Sequence, residues 1–186
     1  PEVHERDPDN RLLARGPRFR MPSWMLRDQA LAVSGLLQPE IGGRPVYPYQ
    51  PQGIWAEATF GKKRYSQGKG QELHRRSLYT FWRRIVGPSL FFDTAKRQVC
   101  EVKPLRTNTP MHALTTLNDV TFVEAARALS SQSLTQTNDA AECMEFIGIQ
   151  VLGRVPKISE IAVWKRSLNR AMTAFEAAPE EAKRFL

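Results

Sequence analysis

The chain has 186 residues, 41% apolar and 25% charged, with 27 Lys and Arg against 19 Asp and Glu for a net charge of +8. A chain this long suits one domain and can bury about 70% of its unfolded surface, so a core needs neither disulfides nor a metal. No apolar run approaches the roughly 20 residues that span a bilayer; the longest, 146–152, contains Gly148 and Gln150.

Residues 1–22 are polar and rich in Arg and Pro, and are expected to lie over a neighbouring element. Pro1 stands where an initiator Met would, with no leader pattern behind it, so the sequence is expected to be a piece of a longer polypeptide. Ser23 is placed to cap a helix whose Leu26, Ala30, Val33 and Leu37 share one face, and Pro39 stops it. Between 39 and 70 no period holds. Pro39, Pro45, Pro48 and Pro51 alternate with Gly42, Gly43, Gly53, Gly61, Gly68 and Gly70, which predicts a long irregular loop within the domain. Its Tyr47, Tyr49 and Trp55 argue that it packs down, since disordered segments are poor in aromatics.

RRSLYTFWRR (75–84) is ambiguous. Leu78, Phe81, Trp82 and Ile85 fit a helical stripe, whereas its aromatic and Thr content suits a strand that pairs with 98–103 through Val99 and Val102. The rest is helical. Thr109 and Pro110 form a cap and a favoured first position for a helix through Leu114 and Leu117. Asn118 and Asp119 break it before the face Phe122, Ala126, Leu129. Asp139 and Glu142 have capping-box spacing ahead of Ala140, Met144, Ile147 and Val151, and Gly153 ends that helix. Ser159 is placed to cap a helix carrying Ile161, Trp164, Leu168 and Phe175, and a short one follows Pro179. The fold class expected is mainly α: a single helical domain over 1–186 with the 39–70 loop and one short strand pair.

The candidate chemistry is sparse. Arg106, Thr107, Asn108 and Thr109 precede a helix start, with His112 and Asp119 nearby, and a free helix N-terminus behind Arg and hydroxyl groups can hold an anion. The same residues also suffice for a capped helix, a turn and an ordinary ion pair. Tyr47, Tyr49 and Trp55 are candidates for an aromatic platform against sugar rings, with Arg44 and Lys62 to meet acidic groups; they serve equally as anchors of their loop. Arginines interleaved with aromatics at 75–84 can stack and neutralise single-stranded nucleic acid, or simply solvate the ends of a buried segment. Asp93, Glu101, Asp119 and Glu124 offer no spacing that singles out a hydrolytic pair. Cys100 and Cys143 lack C-x-x-C and C-x-x-C-H spacing, His4, His74 and His112 are far apart, and Gly68-Lys69-Gly70 is not a phosphate loop, so no metal or cofactor site is expected in this chain.

Five separated stretches carry a family resemblance: Asp9-Asn10-Arg11-Leu12-Leu13, MLRDQALAVSGLL (25–37), IGGRPVYPYQPQGIW (41–55), RRSLYTFWRR (75–84), and RTNTPMHALTTLND (106–119) followed by FVEAARAL (122–129). In that order they resemble the planctomycete-specific domain of unknown function found C-terminal to planctomycete cytochrome c-type domains. The resemblance implies an exported, extracytoplasmic multidomain parent, haem only in another domain, and a family domain reaching upstream of Pro1. It brings no catalytic residues. The function expected is a non-catalytic interaction module gripping acidic polysaccharide or a neighbouring domain of its parent. The alternatives are part of an enzyme completed by an upstream segment, with Arg106, Asn108, His112 and Asp119 in its site, and nucleic-acid binding through the basic surface.

Overall fold

The computed structural model describes residues 2–16, 19–83, 86–88, 90–95 and 99–185. Its helices, in chain order, are α1 (Glu2–Arg6), α2 (Ser23–Val33), α3 (Ile54–Ala58), α4 (Pro110–Asn118), α5 (Val120–Gln136), α6 (Ala140–Leu152), α7 (Ile158–Ala177) and α8 (Pro179–Phe185). Two 3-10 turns, Gly70–His74 and Ser77–Tyr79, precede α4. The mainly α class holds, and no described helix is long and apolar enough to cross a membrane.

Helix α5 is the hub, with α2, α4 and α6 packed on it, and α7 follows along α6. The turns between these helices follow from local chemistry. Asp119 accepts from the Thr121 amide at 2.9 Å and so ends α4 and caps α5 in one residue. Asp139 caps α6 through the Ala141 and Glu142 amides. The reciprocal half of the expected box is rerouted: Thr137 donates its hydroxyl to the Glu142 carboxylate and accepts from the Asp139 amide at 3.1 Å. Gly153 closes α6 at φ 65°, a left-handed position that favours glycine.

Other boundaries differ from expectation. Helix α7 starts at Ile158, so Ser159 is not its cap; Glu160 accepts from the Lys157 amide at 2.7 Å instead. Ser23 is the first residue of α2 and its hydroxyl donates to the Phe92 carbonyl at 2.7 Å. Helix α2 ends at Val33, before Leu37, because Gly35 turns the chain at φ 70° against the Gln132 side chain. The buried stripe of α2 is Ser23, Arg27 and Leu31, whereas Leu26, Ala30 and Val33 are half-buried.

The largest correction concerns 75–84. Its described part is extended around a 3-10 turn and meets the long loop rather than 98–103, through isolated parallel bridges Gln38–Arg75 and Val46–Thr80. Val46 bonds to both neighbours of Thr80, its amide donating to the Tyr79 carbonyl and its carbonyl accepting from the Phe81 amide, both at 2.8 Å. Arg84 and Gln98, from the expected strand pair, lie outside the described residues; Val99 and Val102 are exposed.

Two buried arginines fasten these pieces. Arg27, fully buried, donates to the carbonyls of Leu73 at 2.7 Å and Arg75 at 2.8 Å and to the Ser77 hydroxyl at 3.2 Å. Its neighbour Asp28 accepts from the Ser77 amide and hydroxyl. Burial pulls the Arg27 guanidinium below its usual value, while Asp28 and Asp119 oppose that shift. Arg75 in turn donates to the carbonyls of Glu40, Gly42 and Arg44 and lies 4.3 Å over the Tyr79 ring. The loop is thus ordered by backbone carbonyls gathered on guanidinium groups, each charge-assisted bond being worth more than a neutral one.

Candidate functional site

The polar cluster forms where the 91–95 turn meets the start of α4. Asp93 sits at φ 55°, the left-handed region that Asp tolerates better than most residues. Its carboxylate accepts from the Thr107 amide at 2.6 Å and the Thr107 hydroxyl at 2.8 Å. His112, half a turn inside α4, places Nε2 at 3.9 Å from Asp93 Oδ1 and stacks its ring on Phe92 at 4.0 Å and 12°. Its buried Nδ1 has no hydrogen-bond partner among the described residues. Burial pushes the Asp93 carboxyl up, but the two Thr107 bonds, with His112 and Arg20, together hold it below its ordinary value.

Of the expected residues, the structure gathers Arg106, Thr107 and His112 here. Arg106 donates to the Arg20 carbonyl and its guanidinium lies 5.7 Å from the Phe19 ring, so it clamps the N-terminal segment. Asn108 and Thr109 are exposed, and Thr109 makes no side-chain cap bond. Asp119 is elsewhere: it caps α5 at the far end of the nine-residue α4, roughly 10 Å along the axis from His112. Asp93 and Phe92 were not singled out by the sequence. The only sequence signal is a carboxylate next to an aromatic in a Gly/Pro-flanked turn, which is common to many loops.

The aromatic residues of the loop form an interior stack. Trp55 is buried, facing Tyr65 at 5.5 Å and Phe81 at 5.9 Å, and its indole donates to the Gln50 side chain. Tyr47 lies between Phe81 at 4.8 Å and Tyr65 at 5.6 Å. Tyr65 donates its hydroxyl to the Pro48 carbonyl at 2.6 Å, and burial holds that phenol well above its usual value. Trp55 therefore offers no ring face to solvent, and the platform read from the sequence is instead the core of the loop. Tyr49 stands apart beside Glu124, where burial first and the carboxylate second push its phenol up. Glu124 also lies 3.1 Å from His74 Nε2.

No group of three His, Cys, Asp or Glu side chains is close enough to hold a metal among the described residues. Cys100 is exposed and Cys143 buried, both as free thiols. Cys143 donates to the Thr137 carbonyl at 3.3 Å.

No curated protein and no solved structure matches the chain. A family model does, over residues 1–168, described as PSD1, protein of unknown function (DUF1553). That match takes in every element from the N-terminal segment through the first half of α7, and the chain belongs to the DUF1553 (PSD1) family.

Proposed function

We propose that this chain is a non-catalytic interaction module that docks on a neighbouring domain of the same polypeptide. The supporting observation is its uncovered apolar surface. The chain exposes 14001 Å², whereas a compact monomer of 21.2 kDa exposes about 9,000 Å². The difference is several times the roughly 800 Å² that one partner contributes to an ordinary stable interface.

Exposed apolar side chains stand on particular helices. Met111, Leu114 and Leu117 stand exposed along α4, and Leu168 and Met172 along the distal half of α7. Between α4 and α5 runs a groove of about 570 Å³ lined by Leu117, Phe122, Val123, Ala126 and Leu134. It shares Thr116, Phe122 and Ala126 with a second groove walled by Leu26, Ala30 and Val33 of α2. The apolar face of α2 thus borders a trough rather than a core. Troughs of this kind accept an amphipathic helix through anchors at helical spacing. The exported, multidomain parent implied by the family resemblance supplies such a neighbour, and the extracytoplasmic setting belongs to the same proposal.

The enzyme alternative gains less support. The Thr107 hydroxyl is bonded to Asp93 rather than directed at His112, and Asp119 is remote from both. The test compares this chain alone with the polypeptide that also carries its flanking domains, by amide exchange and by binding of an apolar dye. Protection of α4 and α7 and loss of dye binding are expected only in the longer polypeptide. Equal exchange and dye binding in both would sink the reading, and a concentration-dependent dimer of the chain alone would assign the trough to a second copy.

A further inference from the structure

A separate pocket of about 500 Å³ opens between α2, the Ser77–Tyr79 turn and the segment that follows it. Trp24, Trp82 and Phe91 line it together with Asp28, Arg76 and Thr80. The volume lies within the range of small-molecule sites, and so does the make-up, a mostly apolar wall with a few convergent polar groups.

The polar groups are prepared for a partner. Thr80 is 9% exposed and its hydroxyl has no hydrogen-bond partner among the described residues, although buried hydroxyls are nearly always paired. Asp28 is fixed through Oδ1, which takes both Ser77 bonds, so Oδ2 remains as its open acceptor. Arg76 sits between two residues that are buried and hydrogen-bonded, Arg75 and Ser77. It is itself exposed, and its side chain makes no hydrogen bond or ion pair among the described residues. The rings are equally fixed. Trp82 lies against Gly87, where a Cβ would come within 3.1 Å of the indole nitrogen, and it meets Phe91 at 5.7 Å and 45°. Trp24, on α2, is 45% exposed.

We infer that this pocket binds a pyranose sugar carrying a carboxylate, a uronic-acid unit. The C–H faces of a pyranose pack on indole rings, and its hydroxyls supply donors to Asp28 and both partners to Thr80. A carboxylate on the ring meets the Arg76 fork as a charge-assisted pair. A purely apolar ligand would leave Asp28 and Thr80 desolvated without partners. An organic cation would face Arg76 against the single charge of Asp28, which Arg27 already approaches at 3.6 Å. A planar base would find no parallel pair of rings to lie between, since Trp82 and Phe91 are tilted by 45°. The site is independent of the α4–α5 trough and does not rest on the docking proposal.

The experiment titrates the chain with methyl β-glucuronide, methyl β-glucoside, AMP and tetramethylammonium, by calorimetry and by shifts of the indole N–H resonances. Saturable binding of the glucuronide is expected, about tenfold tighter than the glucoside, consistent with one charge-assisted pair. Arg76→Ala should erase that preference, and Trp24→Ala should weaken the glucuronide about tenfold. Both side chains are exposed, and an unchanged melting temperature confirms that the variants fold. Failure of the glucuronide to saturate, equal binding of glucuronide and glucoside, tighter binding of AMP or tetramethylammonium, or unaltered affinity in both variants would overturn the assignment.

Discussion

Arg27 donates to the backbone carbonyl of Arg75 at 2.8 Å, and Arg75 donates onward to the carbonyls of Glu40 and Arg44. The two arginines act in series: α2 positions Arg75, and Arg75 positions the loop. Arg27→Met keeps the length of the side chain but strands the carbonyls of Leu73 and Arg75 in a buried site. A loss of about 3–5 kcal/mol is expected from removing one partner of a buried charged network. A denaturant titration checks it; a loss below about 1 kcal/mol would mean the carbonyls find water.

Trp55→Ala should also act on stability. Removing a buried indole from the Tyr65–Phe81 stack costs about 3–5 kcal/mol, with the aromatic dispersion of Tyr47 and Tyr65 lost in NMR spectra of the variant. A Trp55 variant that binds acidic glycans less well at unchanged stability would contradict the interior position of this ring.

Gly148 faces Pro156, and an added Cβ would stand 2.6 Å from the proline Cγ. The ring cannot retreat without moving the turn that joins α6 to α7. Gly148→Ala should therefore destabilise by about 1–3 kcal/mol despite the helix preference for Ala. A thermal melt showing stabilisation would indicate that the turn yields freely.

Glu160 supplies a pH test at the start of α7. Its bond with Arg154 first, and the Lys157 amide second, hold its carboxyl down to about 2, well below the ordinary 4.5. A carboxylate depressed in the folded state stabilises fully above its unfolded value and loses that contribution as pH falls through its folded value. The start of α7 should therefore fray progressively between about pH 4.5 and 2. Amide exchange at Ile161 and Ala162 reads this, and Glu160→Gln should show no such step.

Leu168→Ser with Met172→Ser separates docking from folding. Both side chains are exposed, at 39% and 51%, so stability should shift by less than about 0.5 kcal/mol per site. Protection of α7 in the longer polypeptide should nevertheless be lost. A large drop in stability of the chain alone would show that this face already packs within it.

The helical half of the molecule was legible in the sequence because its breaks are local. Asp119, Asp139 and Gly153 act on amides and dihedrals within a few residues of themselves. The face of α2 was not legible: Leu26, Ala30 and Val33 carry the apolar period, but Arg27 is the residue that enters the interior, to reach carbonyls 46 and 48 positions away. Hydropathy ranks arginine as a surface residue, and only the distant acceptors reverse that. The polar cluster was half legible. Arg106, Thr107 and His112 lie within seven consecutive residues, while Asp93 comes from a turn with no pattern to link it to them. The Trp24–Trp82 pocket was invisible for the same reason, because its walls are brought together by the Asp28–Ser77 bonds.

The tie between Gln132 and the Ser34 carbonyl spans 98 residues. A ribosome therefore releases α2 before α5 exists to receive it, since chains are made from the N-terminus onward at about 5–20 residues per second. Through that interval Leu26, Ala30 and Val33 have no partner from their own chain, and Arg27 must wait about 46 residues for its first acceptor. The nascent N-terminal half is thus the stage at which a holdase has most to cover.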